Sequence, residues 1–141
     1  MTEDYELVDH LTGGEHYLAL GRIGRPDVID EMQEKPELNE ALYMALTSAS
    51  KVRSGGIQFG LRTKIITPVT SSLYLYELKA RSTVWRVLAY LHRSGARRVE
   101  PVMLFHVRGH QGKTGRLPKS VVDKGERLAV IARKLMEEEY E

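Results

Sequence analysis

The spacing of apolar residues changes twice along the chain. Leu38, Leu42, Ala45, Leu46 and Ala49 recur at the three-to-four interval of a helix face. A shorter helix precedes them. It opens at Arg25-Pro26-Asp27, since proline is tolerated in a first turn and acids favour it, and it closes near Pro36. Ser54-Gly55-Gly56 ends the longer helix, so the two predict a helical hairpin. After Gly60 the interval shortens. Leu73 to Lys79, Thr83 to His92 and Val99 to Arg108 read as three successive strands, rich in β-branched and aromatic side chains. Pro101 makes the start of the third an edge or an irregular stretch. A short strand is expected over His16 to Arg22, after a polar, loose lead-in of residues 1–14 ending at Gly13-Gly14. Gly109 to Leu117 reads as a glycine-rich basic loop. Pro118 opens a last helix whose stripe is Val121, Val122, Leu128, Ala129, Ala132, Leu135 and Met136. The fold class expected is α+β: one domain over residues 1–141, with an N-terminal helical hairpin and a C-terminal helix packed on one face of a small antiparallel sheet.

Alternation within the strands assigns side chains to faces. Trp85, Val87, Ala89 and Leu91 are expected in the core, and Arg86, Leu88, Tyr90 and His92 opposite them. Tyr74, Tyr76 and Leu78 oppose Leu75, Glu77 and Lys79; Met103, Phe105 and Val107 oppose Leu104, His106 and Arg108. One apolar face therefore coexists with a face carrying Glu77, Lys79, Arg86, His106 and Arg108.

Charge sharpens that picture. Net charge is only +2, yet residues 1–50 hold 3 basic and 11 acidic side chains while residues 79–119 hold 10 and 1. A basic segment set between acidic ones points to a polyanion site; the competing reading is a set of solvated loops. The chain has no cysteine, which excludes disulfides and thiolate metal sites. His106 and His110 are four apart, but on a strand end and a loop, and without an acidic partner they make a weak metal signal. No metal or cofactor is expected. No phosphate-binding glycine motif occurs, since Gly109 to Lys113 lacks its spacing. Apolar runs such as Leu73 to Leu78 are too short to span a bilayer, and Met1 to Asp9 is acidic, unlike a secretory leader. A cytoplasmic location without membrane contact is the expectation.

Leu75-Tyr76-Glu77-Leu78-Lys79, Trp85-Arg86-Val87-Leu88-Ala89-Tyr90, Leu104-Phe105-His106 and Pro118-Lys119 follow one another in an order and at a spacing that resemble the phage Gp49-like branch of HigB toxins, within the RelE/ParE superfamily. The resemblance spans roughly residues 26–136 and is clearest over 64–136. It implies a compact RelE-like fold and a ribosome-dependent endoribonuclease that cuts translated mRNA. It also implies a cognate antitoxin, often of helix-turn-helix type, through which alone operator DNA would be touched. The sequence departs from the family in one place. An aromatic residue, paired lysines and a Thr-Pro are usual after the third strand. Here the chain reads His106-Val107-Arg108-Gly109-His110-Gln111-Gly112-Lys113, Leu117 precedes Pro118, and the loop is longer.

Cleaving RNA without a metal requires a proton acceptor for the 2′-hydroxyl, a donor for the departing 5′-oxygen, and positive charge on the phosphorane-like transition state. Arg86 suits the last task, because a guanidinium grips two phosphate oxygens and stays charged; otherwise it is a surface arginine paired with Glu77. His106, His110 and Lys113 are the other catalytic candidates. For His106 a hydrogen-bonded place at the sheet edge is the competing reading, and His110 and Lys113 either act on the phosphate or hold it. Lys79, Arg81, Arg108, Arg116 and Lys119 read as backbone-binding charges. Tyr90, on the Arg86 face, is a candidate to stack on an unpaired base. Glu77 is expected to orient a basic neighbour. Two further readings stand beside the nuclease: a noncatalytic, phage-derived interaction module on the same fold, and a gyrase-directed toxin of the same superfamily.

Overall fold

A computed structural model describes residues 4–80, 84–95, 98–109 and 117–140, apart from the side chain of Ser71. The chain is α+β. Among the described residues it forms six strands and four α-helices: β1 (Tyr5–Thr12), β2 (Glu15–Arg22), α1 (Val28–Glu34), α2 (Asn39–Gly55), α3 (Ile57–Arg62), β3 (Ile66–Thr70), β4 (Leu75–Leu78), β5 (Trp85–Ser94), β6 (Arg98–Arg108) and α4 (Lys119–Tyr140). The sheet order is β1-β2-β6-β5-β4-β3. β2 and β6 run parallel, with Leu18 opposite Val102, and the other pairs are antiparallel. The sheet is thus mixed, and larger than the antiparallel meander expected from sequence.

Residues 5–12, expected as part of a loose lead-in, are a full strand. Gly13 and Gly14, at φ of 59° and 82°, make the two-residue turn that joins it to β2. Both central positions of such a hairpin need positive φ, which glycine supplies without strain. His10 fastens the hairpin to α1: its Nε2 lies 2.7 Å from Asp27 Oδ2. Asp27 Oδ1 caps the helix by accepting from the Ile29 and Asp30 amides at 2.9 and 3.1 Å.

Helices cover both faces of the sheet, not one. Val87, Ala89, Leu91 and Met103 pack under the helical hairpin with Ile29, Met32, Leu42, Leu46 and Val52. Leu75, Leu88, Tyr90, Val102, Leu104 and Phe105 pack under α4 with Leu128, Ala132 and Met136. Alternation along β5 holds, but the face expected to be polar is a second core. A glycine lets α4 settle there: a Cβ on Gly125 would lie 2.8 Å from Leu75 Cδ2 and 3.3 Å from Leu88 Cδ2.

The register of β6 departs from strict alternation. Leu88 pairs with Phe105 and Ala89 with Met103, leaving Leu104 as the extra residue of a bulge. Leu104 and Phe105 consequently both face α4, and every residue beyond them changes side. His106 and Arg108 therefore stand on the helical-hairpin side, opposite Val87 and Trp85, and not beside Arg86 as expected. Among the described residues no helix is long and apolar enough to cross a membrane.

Candidate functional site

Two strands deliver one ion pair to the end of the α4-side face. Glu77 on β4 is opposite Leu88, and Arg86 on β5 is opposite Val107, so both point to the α4 side. Arg86 Nε lies 3.5 Å from Glu77 Oε2, and the side chains are 21% and 14% exposed. Gly109 completes the arrangement just past β6. Its amide donates to the Val84 carbonyl at 2.6 Å, and a Cβ on it would come within 3.1 Å of Arg86 Nε. A residue without a side chain lets the backbone lie this close to the guanidinium. Burial pushes the Glu77 carboxyl above its ordinary range, against the opposing pull of Arg86 and Lys79. A planar cation is thereby held in place by a carboxylate whose own proton affinity is raised.

The other candidate residues distribute unevenly around this pair. The Lys79 charge reaches Glu77, while its backbone is tied to the helical-hairpin side, donating to Ile65 O at 2.9 Å and accepting from Ser48 Oγ at 3.1 Å. Lys119 is exposed at the first residue of α4. Arg108 is exposed on the helical-hairpin side. His106, half-buried there, meets the Trp85 ring edge-on at 5.6 Å between centroids. Burial lowers its pKa, Lys35 and Lys124 act in the same direction, and Glu31 opposes them. Tyr90 is not the stacking surface expected: it is 3% exposed under α4, with its hydroxyl 2.8 Å from His92 Nδ1. A base has no access to that ring as packed. Arg81, His110, Lys113 and Arg116 lie outside the described residues.

Two residues not singled out from the sequence belong to this end of the molecule. One is Gly109, which reads only as part of a glycine-rich loop until its contact with Arg86 is seen. The other is Lys124, whose Nζ stands 4.5 Å above the Phe105 ring and whose charge bears on His106. The sequence does carry its signal: Val121, Gly125 and Leu128 mark the inward stripe of α4, and Lys124 falls on its flank. Among the described residues, His10, Asp27 and Asp30 form the group whose potential ligand atoms for a cation approach within 4.8 Å. They sit where β1 meets α1, and the capping box already uses both carboxylates.

No protein-family model matches the chain, and neither does any curated protein or any solved structure.

Proposed function

We propose that this chain is the toxin of a type II toxin–antitoxin pair of the RelE/HigB type: a cytoplasmic, ribosome-dependent endoribonuclease that cuts translated mRNA without a metal. In this reading a helix-turn-helix antitoxin keeps it silent and carries any contact with operator DNA. The observation that carries the reading is Arg86, fixed by Glu77 beside Gly109, the last described residue before the basic sequence of residues 110–116. Arg86 grips the scissile phosphate and stabilises the added negative charge of the transition state. Glu77 orients the guanidinium. His110 and Lys113, which follow Gly109 in the sequence, supply the proton transfer and a second positive charge. Lys79, Arg81, Arg116 and Lys119 hold the flanking backbone. His106 opens to the other face and takes no step in this scheme.

The departure of the sequence over residues 106–118 favours a second reading, a noncatalytic module that keeps the fold and binds a host component. Controlled expression with mapping of new mRNA 5′ ends separates the two. The nuclease reading expects growth arrest with cuts in ribosome-bound messages. Arrest with intact mRNA and broken DNA would move the chain to the gyrase-directed branch. Folded protein without any effect on growth would leave the interaction module.

A further inference from the structure

On the helical-hairpin side of the molecule, where neither Arg86 nor Glu77 points, a hollow of about 590 Å³ opens between α2 and α3. Its walls include Tyr43, Met44, Phe59 and Ile65; Lys51 and Lys79 also line it, and no aspartate or glutamate does. The sequence of α2 explains how it arises. Ala41, Leu42, Ala45 and Leu46 turn into the core, which leaves Tyr43 and Met44 on the flank, and Tyr43 remains 72% exposed. Glycines bring α3 close: a Cβ on Gly60 would lie 2.9 Å from both Ile66 and Val52, and one on Gly55 would lie 2.6 Å from the Phe59 ring. Phe59 is thereby held against the end of α2. The chain around the hollow adds mostly positive charge: Arg62 and Lys64 are exposed on either side of Thr63, another wall residue, against Glu40 exposed one turn before Met44 on α2.

We propose that this hollow docks an amphipathic helix of a partner protein whose apolar side chains are flanked by aspartates and glutamates. A trough between two helices accepts a third through side chains at i, i+3 or i+4, and i+7. Tyrosine, methionine and phenylalanine are types enriched at protein contacts. The lysines, with no acidic residue in the lining, specify the sign of the partner's charge, because like charges across a contact repel. Aliphatic Met44 and Ile65 favour a protein segment over a nucleobase, which stacks best on aromatic or guanidinium planes. The Arg86 pair points to the other side of the sheet and shares only Lys79 with this hollow, so the proposal holds whether or not the chain cuts RNA.

The test presents a random library of 16-residue peptides to the intact protein. Enriched peptides are then labelled and titrated by fluorescence anisotropy against the parent and its variants. Apolar residues at helical spacing between acidic ones are expected in the enriched set. Tyr43→Ser and Met44→Glu should each weaken binding about tenfold. Lys51→Glu should weaken it less and flatten its salt dependence. Tyr43→Ser guards against a folding artefact, since so exposed a side chain adds little to the core, and its melting should match the parent's. Arg86→Ala should bind the peptides as the parent does, which separates this proposal from the nuclease reading. A 12-nucleotide uridine RNA serves as the second probe. The proposal is overturned if no peptide is enriched, or if enriched peptides lack acids or ignore Tyr43→Ser and Met44→Glu. It is equally overturned if the RNA binds the parent and loses affinity in those two variants.

Discussion

Two arginine–glutamate pairs set against the sheet are alike in geometry and unlike in surroundings. Arg53, on α2, lies 3.3 Å from Glu100 and 3.5 Å from Glu15; it also donates to the His16 carbonyl and covers the Tyr17 ring at 5.1 Å. Arg86 lies 3.5 Å from Glu77. In both pairs burial pushes a glutamate above its ordinary range while the arginine pulls it back. The difference is the field. Around Arg53 stand Glu15, Glu100 and Asp9, the last raising Glu100 further while Arg98 lowers it; Lys79 bears on the Arg86 pair, and Gly109 precedes the basic sequence of residues 110–116. A phosphate approaching Arg53 meets the carboxylates of Glu15 and Glu100. At Arg86 it meets one carboxylate, Glu77, with the Lys79 charge bearing on it. A partly buried arginine–glutamate pair therefore says little by itself about function, and its neighbours decide whether it fastens the fold or receives an anion.

Replacing each arginine by alanine breaks that comparison most directly. Arg86→Ala should cut single-turnover cleavage on programmed ribosomes by about 100- to 1,000-fold, the effect of losing one transition-state charge contact. Its stability should also fall, by about 1–3 kcal/mol, because the replacement strands the 14% exposed Glu77 carboxylate, so the rate is compared per folded molecule. Arg86→Lys should restore only part of the rate, since an ammonium lacks the planar fork. Arg53→Ala should differ in rate, not in stability: cleavage unchanged per folded molecule, with a comparable loss of about 1–3 kcal/mol from the stranded carboxylates. Equal rates for Arg86→Ala and the parent would remove Arg86 from the mechanism, and a cleavage defect in well-folded Arg53→Ala would erase the distinction between the two pairs.

Gly109→Ala sharpens the same contrast with a smaller expected effect. The new methyl would meet Arg86 Nε at 3.1 Å and the Val84 carbonyl at 3.2 Å, so the guanidinium has to move by a few tenths of an ångström. In the nuclease reading a displaced Arg86 costs rate, and a loss of roughly 10- to 100-fold is expected. Rate and denaturant midpoint measured on one preparation separate this from general damage. A Gly109→Ala protein that keeps the parent rate would show that Arg86 tolerates displacement.

Legibility from sequence follows how local the determining physics is. The start of a helix at Pro26-Asp27, the helical spacing of α2 and the two-face alternation of β5 depend on neighbours along the chain and stand in the fold, although Asp27 is the cap of α1 and not a first-turn residue. Gly13-Gly14 is an equally local turn signal, but the mixed polar pattern of Tyr5 to Thr12 hides the strand before it. What lies on the second face is not local. Tyr90 and His92 look like a polar face until α4 returns to cover the sheet there. The bulge at Leu104 has no signature in Leu104-Phe105-His106 itself, yet it moves His106 away from Arg86. Thus the Arg86–Glu77 pair, set by adjacent strands without a bulge between them, is legible, and the position of His106 is not.

His106 yields the smallest predicted effect and the finest test of how far the basic field extends. Its imidazole is half-buried beside Trp85 on the helical-hairpin side, and burial, with Lys35 and Lys124 adding to it, lowers its pKa below the usual value. The folded protein therefore binds its proton less readily than the unfolded chain. As pH falls from about 7 through the ordinary histidine value near 6.5, the unfolded chain takes up the proton first, and stability falls with it. His106→Gln removes this contribution from both states. His10 and His16, each beside an aspartate, remain in both proteins, so the difference between parent and variant isolates His106. Denaturant midpoints at pH 8, 7, 6 and 5 should show the parent losing more stability on acidification than His106→Gln. Parallel curves would mean that His106 titrates alike folded and unfolded, and that neither burial nor the lysines around it reach this side of the sheet.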